Sequence, residues 1–408
     1  MTYNGIKFEF DNHHTTNIDG AVWIKTDNTP SMKTNSKHKI AVIASFPDSV
    51  LSFRGALISA IQQQNYEVHV IAPYMEDDLL QELQRRGIVV HQISLQRTGM
   101  NPFSDVKYFI QLFKVLREIN PDYSIAYTIK PVIYGTLAAK LAGVKNTFSL
   151  ITGLGYAFTG EAKGKRKVIQ YLLHLLYKAA LKTNKLVFFQ NNDDKALFQQ
   201  LKLVPKTSNP VVVNGSGIDV SEFSEVPLPN SCDFLLIARL LGDKGIREYA
   251  GAARLLKQSH PNSTCRLVGF IDVNPDAIKQ HELDEWIDGG YIEYIGRLSN
   301  VQPAIEQCTV YVLPSYREGT PRSVLEAMAM GRPIITTDAP GCRETVIDGE
   351  NGYLVPVQDS HALYENMVKL TESRELVVKM GKASREIVEE KFDVHKVNHA
   401  MLTAMGIK

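Results

Sequence analysis

Residues 308–329 read CTVYVLPSYREGTPRSVLEAMA, and three kinds of local order follow one another inside them. CTVYVLPS is a short apolar run, as a strand covered on both faces of a parallel sheet must be. SYREG is the loop that leaves it. Thr320 suits a helix N-cap and Pro321 a first helical residue, so PRSVLEAMA reads as the helix that follows. Strand, loop and helix in that order form half of a βαβ unit, which predicts a parallel sheet with right-handed crossovers.

The same rhythm runs outward from this stretch. CDFLLIARL, CRLVGF and YIEYIGRL precede it and RPIITTDA follows it. A separate series lies upstream, with strands at HKIAVIASF, YEVHVIAP, IVVHQISL, PDYSIAYTI, NTFSLI, NKLVFFQ and PVVVNGSGI. Helices are expected near 76–86 and 104–119, from about 132, and near 165–182, with a short one after NKLVFFQ. Between the two series, SEFSEVPLPNS (221–231) interrupts the alternation with prolines, serines and acids and reads as a linker. The expected class is α/β, with two Rossmann-like, doubly wound domains facing a cleft. The divisions are a polar extension over 1–36, a first domain over 37–221, a linker over 222–230 and a second domain over 231–390. Residues 391–408 are expected to form a helix that packs back on the first domain. In such sheets ligands bind beyond the carboxyl ends of the strands, and that is where the polar motifs of the second series lie.

Composition narrows the classes. A chain of 408 residues exceeds one ordinary core, and 44% apolar with 22% charged residues is globular. A net charge of +1 supplies no global field for nucleic acid. Cys232, Cys265, Cys308 and Cys342 are far apart and form no Cys-x-x-Cys pair, so neither a zinc knuckle nor a disulfide framework is expected, and reduced cytoplasmic thiols fit best. No apolar run reaches a membrane-spanning length, and the N-terminus has no apolar signal core.

The chemistry-bearing residues cluster after strands. Glu318 lies in the loop and Glu326 on the helix of the opening stretch. The helix N-terminus offers free N–H groups to a phosphate, and Gly319 leaves backbone open to a ligand. The two carboxylates can hold the hydroxyls of one polyol on either side of that phosphate. The alternative is a helix cap and a solvated glutamate. ARLLGDKG (238–245) puts Arg239 and Lys244 in another loop after a strand, a fork and a point charge suited to a diphosphate, or otherwise two solvated cations. LVGFID and YIGRLSN place Gly269 and Gly296 just past strands, where backbone can read a base edge, although glycine after a strand is also ordinary turn chemistry.

In the first series, FPDSVLSFRGALI lacks the G-x-G-x-x-G fingerprint of a nicotinamide dehydrogenase. Gly55 there still lets an anion or acceptor approach. NNDD (191–194) opens a helix, with Asn192 or Asp193 the expected cap. KGKRKVIQYLLHLLYKAALK (163–182) carries Lys163, Lys165, Arg166, Lys167 and Lys178 beside a leucine- and tyrosine-rich face. It suits either an anionic membrane surface or a core helix with a solvated end. His174 within it reads as a packed side chain, and His13 and His14 as part of a solvated tail.

Together these residues resemble family 4 of the retaining glycosyltransferases. The matching segments are ARLLGDKGI, YIGRLS, VYVLPSYREGTPRSVLEAMAMGRPIITTDAPGCRETV with its E-x7-E signature, and NGYLVPVQD. YTIKPVIYGTLAAKLAG and TGLGYAFTG resemble a bacterial subgroup that adds N-acetylhexosamines to undecaprenyl-diphosphate-linked sugars. The similarity covers roughly residues 38–400.

The resemblance implies the GT-B fold and a retaining transfer from a UDP-sugar that needs no metal or other cofactor. Arg239 and Lys244 would hold the donor diphosphate, Glu318 would face the transferred sugar and act in catalysis with them, and Glu326 would bind the ribose. Gly269, Gly296, Arg297, Gly319, Thr320 and Pro321 would complete the donor site. Gly55, Lys130, Lys163, Lys165, Arg166 and Lys167 would face the acceptor, a polyprenyl-diphosphate-linked saccharide, from the inner face of the cytoplasmic membrane. One departure stands out. Many members carry a histidine before a proline in the loop that here reads YTIKP, where this chain has Thr128 and Lys130. Two other functions fit the same scaffold: a nucleotide-sugar 2-epimerase and a non-catalytic nucleotide-sugar sensor.

Overall fold

Short apolar runs alternate with amphipathic helices; the central runs are buried, as in Lys39–Ile43, Leu186–Phe189 and Val310–Leu313, whereas Val89–Gln92 and Glu293–Gly296 are partly exposed. The computed structural model describes residues 37–96, 101–154, 158, 164–205, 208–272, 274 and 276–407, without the side chains of Lys165 and Arg166. The expected extension over 1–36 and most of TGLGYAFTG lie outside the described residues.

The first series contains β1 (Lys39–Ile43), α1 (Ser49–Ser52), α2 (Gly55–Gln63), β2 (Glu67–Ala72), α3 (Asp77–Arg85), β3 (Val89–Gln92), α4 (Pro102–Ile119) and β4 (Tyr123–Tyr127). A π turn over Pro131–Gly135 runs into α5 (Thr136–Ala142), and β5 (Asn146–Ile151), α6 (Lys165–Leu181), β6 (Leu186–Phe189), α7 (Asn192–Gln200) and β7 (Val211–Val212) follow. All pairings are parallel, in the order β3-β2-β1-β4-β5-β6-β7. The order reverses between β1 and β4, which makes that junction the switch point of the sheet.

The second series contains β8 (Phe234–Ile237), a 3-10 turn over Gly242–Lys244, α8 (Ile246–Ser259), β9 (Cys265–Val268), α9 (Gln280–Asp288), β10 (Glu293–Gly296), α10 (Gln302–Glu306), β11 (Val310–Leu313), α11 (Arg322–Ala329), β12 (Ile334–Thr337) and β13 (Gly352–Val355). Its parallel order is β10-β9-β8-β11-β12-β13, so the switch point falls between β8 and β11. Two helices, α12 (Ser360–Glu372) and α13 (Arg374–Ile387), lead through a π turn into α14 (Val394–Met405).

Strand β4 packs Ile125 and Tyr127 into a core with Val42, Val70, Phe148 and Phe188, and α14 adds Met401, Leu402 and Met405 to that same core. The chain therefore returns to the first sheet after completing the second. Backbone hydrogen bonds fix the return, from Ile218 N to Phe392 O (2.9 Å) and from Val394 N to Ile218 O (3.0 Å). The segment read as a linker has no strand or helix but is stapled down. Arg332, 0% exposed, donates to the carbonyls of Val226 and Pro227 as well as Ile305, Met330 and Glu306. Arg374 donates to the carbonyls of Leu228 and Pro229. The buried guanidinium of Arg332 meets carbonyls that would otherwise lack partners.

Candidate functional site

Lys244 and Glu318 are 74 residues apart, and their side chains meet at 2.5 Å. Parallel pairing of Val310 with Phe234 and Tyr311 with Leu235 makes β8 and β11 neighbours, so the loops leaving their carboxyl ends lie side by side. Gly245 sets the approach. Its φ is +70°, and a Cβ there would fall 2.1 Å from the carbonyl oxygen of Pro314, so only glycine lets the two loops close. Tyr316 N (2.9 Å) and Ser315 Oγ (3.1 Å) then both donate to Asp243 O. The ion pair crosses the switch point of the second sheet, where this architecture places ligands.

The charges here are crowded. The Lys244 and Glu318 side chains are each 16% exposed, a water-poor setting in which a cation and a carboxylate interact strongly. Burial raises the Asp243 carboxyl above its ordinary range; Lys244 draws it down, while Glu318 and Asp276 push it further up. Arg239 is more open and pairs with Asp272 at 2.9 Å. Glu326 is buried at 8% exposure, and Arg322 one turn before it pairs with it at 2.8 Å. Burial raises the Glu326 carboxyl, and Arg322 opposes the rise. Arg239, Lys244, Glu318 and Glu326 are thus held in three ion pairs, and the first backbone N–H groups of α11 have no acceptor within the helix.

The loop between the glutamates departs from expectation. Helix α11 begins at Arg322, with Pro321 in the cap position and extended, so Thr320 is not the N-cap. Thr320 is drawn instead to the first domain, where its Oγ1 donates to Gln190 O (3.3 Å). Gly319 does not leave backbone open to a ligand. A Cβ there would lie 2.3 Å from Gln190 Oε1 and 2.4 Å from Thr152 O, so the space is filled by the first domain. Asn191, fully buried, donates to Gly319 O (3.1 Å) and Glu318 O (3.4 Å) and accepts from Asp194 N as the cap of α7. It takes the capping role expected of Asn192 or Asp193. The two aspartates form ion pairs across the seam, Asp193 with Arg343 at 2.8 Å and Asp194 with Arg317. Asn191, Asp194 and Arg317 are the contributors that sequence reading missed. Their only signal was the acid-rich start of a helix just after a strand.

Two family models divide the chain. That of the group 1 glycosyl transferases matches residues 231–373, and that of the glycosyl transferase 4-like proteins matches residues 39–191. The chain is 30% identical over 348 residues to the N,N'-diacetylbacillosaminyl-diphospho-undecaprenol alpha-1,3-N-acetylgalactosaminyltransferase of Campylobacter jejuni subsp. jejuni serotype O:2, covering 82% of this chain and 89% of that one. The chain belongs to the group 1, family 4-like glycosyltransferases. It is also 25% identical to the UDP-Gal:alpha-D-GlcNAc-diphosphoundecaprenol alpha-1,3-galactosyltransferase of Escherichia coli, over 72% of this chain and 77% of that one. Its GT-B fold is shared with sucrose-phosphate synthase from Thermosynechococcus elongatus (TM-score 0.73, 18% identity, 90% of this chain and 98% of that one). It is shared too with HepE of Anabaena in complex with UDP and glucose (TM-score 0.69, 18% identity, 90% and 99%).

Within this glycosyltransferase the remaining expected residues are dispersed. The Gly269 N–H is spent inside the sheet, donating to Gly296 O (2.9 Å), and its carbonyl accepts from Tyr294 Oη (3.0 Å), so it is not free to read a base. Gly296 has open space beside its α-carbon, and the Arg297 guanidinium lies 5.1 Å from the centre of the Phe270 ring. On the first domain, Gly55 opens α2. Lys130 is paired with Asp105 at 2.7 Å, both side chains nearly buried, which removes it from the free cations. Thr128, at the position of the missing histidine, has a φ of +69° and shares a 2.6 Å hydrogen bond with Ser45. Lys163 lies outside the described residues, Lys165 and Arg166 open α6, and Lys167 is exposed on it. His174 packs on Phe158, with ring centres 5.0 Å apart.

Proposed function

We propose that this glycosyltransferase moves a hexosamine, N-acetylgalactosamine or N-acetylglucosamine, from a UDP-sugar to a saccharide carried on undecaprenyl diphosphate, with retention at the anomeric carbon. The observation that carries this reading is the Lys244–Glu318 ion pair at the switch point of the second sheet. A diphosphate entering there takes Lys244 and Arg239 as its cations, with the N–H groups at the start of α11 beside it. These charges fill the part that a metal ion would otherwise play. Glu318, released from Lys244, turns to the hydroxyls of the transferred sugar, and Glu326 holds the ribose. The acceptor hydroxyl attacks the anomeric carbon on the face from which the diphosphate leaves. The C–O bond to the departing phosphate breaks as the new glycosidic bond forms, and the hydroxyl proton passes to the departing phosphate oxygen. Fixed positive charge aimed at the leaving group is the main source of acceleration.

The names of the Campylobacter and Escherichia relatives support the lipid-linked acceptor. No described helix is long and apolar enough to cross a membrane, so contact with the lipid would be peripheral. Helix α6 presents Val168, Tyr171, Leu172 and Leu175, 46–62% exposed, beside Lys167 and Lys178. That face suits the anionic inner surface of the cytoplasmic membrane. A panel of UDP- and GDP-sugars assayed with an undecaprenyl-diphosphate monosaccharide tests the reaction. Transfer from a UDP-hexosamine is expected, whereas an epimerised sugar nucleotide formed from donor alone would overturn it. Co-sedimentation with anionic liposomes at low salt tests the membrane contact, and an absence of binding would refute it.

A further inference from the structure

Arg54 is a buried cation with no acid partner among the described residues. It follows β1 and directly precedes α2, and its side chain is 3% exposed. One guanidinium nitrogen donates to Ser216 Oγ (3.1 Å) and Phe53 O (3.3 Å), the carbon lies 5.0 Å from the centre of the Tyr127 ring, and Nε is buried with no partner. Among the described residues no carboxylate pairs with it. The guanidinium is lowered to about 10, chiefly by burial, with Tyr127 opposing and Arg322 adding to the fall. Arg322 comes from the start of α11, its guanidinium 5.6 Å from the centre of the Phe53 ring, and among the described residues the one acid it pairs with is Glu326. The Ser216 loop closes the third side, since a Cβ on neighbouring Gly215 would fall 2.7 Å from Thr320 Cβ.

Two helix N-termini and two arginines therefore converge where the switch-point loops of the two sheets meet, with one carboxylate between them. Unpaired positive charge buried beside other positive charge is costly, and an anion removes that cost. We infer that Arg54, the start of α2 and Arg322 form a phosphate site spanning the seam, which takes one phosphate of a diphosphate and draws the two domains together around it. The inference rests on the transferase reading only for the source of that phosphate, which is either the sugar nucleotide or the lipid acceptor. Arg54 is covered in the closed arrangement, so the ligand enters before the seam shuts.

The test is binding by calorimetry, with UDP and farnesyl diphosphate as probes, on Arg54→Met and Arg54→Lys. Arg54→Met is expected to weaken one of the two by about tenfold or more, as the loss of a charge-assisted hydrogen bond requires, while Arg54→Lys stays within about fivefold of wild type. Loss of UDP binding assigns the site to the donor, and loss of farnesyl diphosphate binding to the acceptor. Both affinities within about twofold of wild type would overturn the site. Should Arg54→Met fail to fold, Arg322→Ala decides. Its side chain is 29% exposed, and inorganic pyrophosphate should raise its thermal midpoint by clearly less than that of wild type; an equal rise overturns the site. Neither assay requires turnover. Diphosphate binding that depends on Arg54 in a protein that transfers no sugar would leave this site standing and remove the proposed reaction. Transfer with binding indifferent to Arg54 would do the reverse.

Discussion

Replacing Lys244 by methionine removes a cation from a pair held at 2.5 Å with both side chains 16% exposed. Two consequences separate cleanly. At that distance the gross Coulomb term is about 6–7 kcal/mol at an effective dielectric constant of about 20, and most of it is offset by desolvation. Deleting one partner of a fully buried pair costs about 3–5 kcal/mol. Water can reach part of this one, so a loss of about 2–3 kcal/mol on chemical denaturation is expected. The second consequence is catalytic. At saturating UDP-sugar the turnover should fall by about 100-fold or more, the scale for losing one fixed charge on a developing anion. The double variant Lys244→Met/Glu318→Gln distinguishes the two. It should regain most of the stability, because removing both partners leaves no buried orphan, and regain none of the turnover. If Lys244→Met keeps turnover within about threefold of wild type, the diphosphate assignment is wrong. If the double variant is no more stable than the single one, the pair is not the buried interaction argued here.

The remaining predictions concern the other ends of the site and the frame around it. Glu326→Ala should chiefly raise the donor KM, and Glu318→Gln should chiefly lower kcat; the opposite split in steady-state kinetics would mean that the ribose and sugar ends are exchanged. Gly319→Ala puts a methyl group within 2.4 Å of Thr152 O and Gln190 Oε1. It should hold the seam apart and lower kcat about tenfold or more; an unchanged kcat would refute the contact. His69 and His91, stacked with ring centres 5.3 Å apart and Nδ1 to Nε2 at 3.0 Å, are both held below their ordinary values by burial, with Glu67 and Glu118 opposing and Lys39 assisting. The fold favours their neutral forms while the unfolded chain protonates near pH 6.5, so their contribution is present above about pH 6.5 and is lost as the pH falls below it. The drop in thermal midpoint between about pH 7.5 and about pH 5.5 should be smaller in His91→Phe than in wild type; equal drops would count against the pair.

How far the site could be read in advance depended on the range of each signal. Strand CTVYVLPS and helix PRSVLEAMA followed from apolar runs and periodicity, which are local. So did the placing of Arg239, Lys244 and Glu318 in loops after strands and of Glu326 on the helix that follows. The helix start was misplaced by one residue because Thr320 has a distant claim on it, the carbonyl of Gln190. NNDD was read as a cap because capping is local; its ion pairs with Arg317 and Arg343 span more than 120 residues of chain and leave no mark in the segment itself.

By itself the sequence determined most of the strands, which loops carry charge, and that the central apolar strands are buried and parallel; it did not mark β13 (Gly352–Val355) as a strand. Those properties depend on residues within a few positions of one another. Only the tertiary structure decided that Lys244 faces Glu318, that Gly319 is filled by the first domain, that Lys130 is spent on Asp105 and that, among the described residues, no acid pairs with Arg54. Each depends on which strands are neighbours, and strand order is a long-range choice. A parallel sheet built from the same strands in another order would bury the same apolar runs equally well, yet would set different loops side by side.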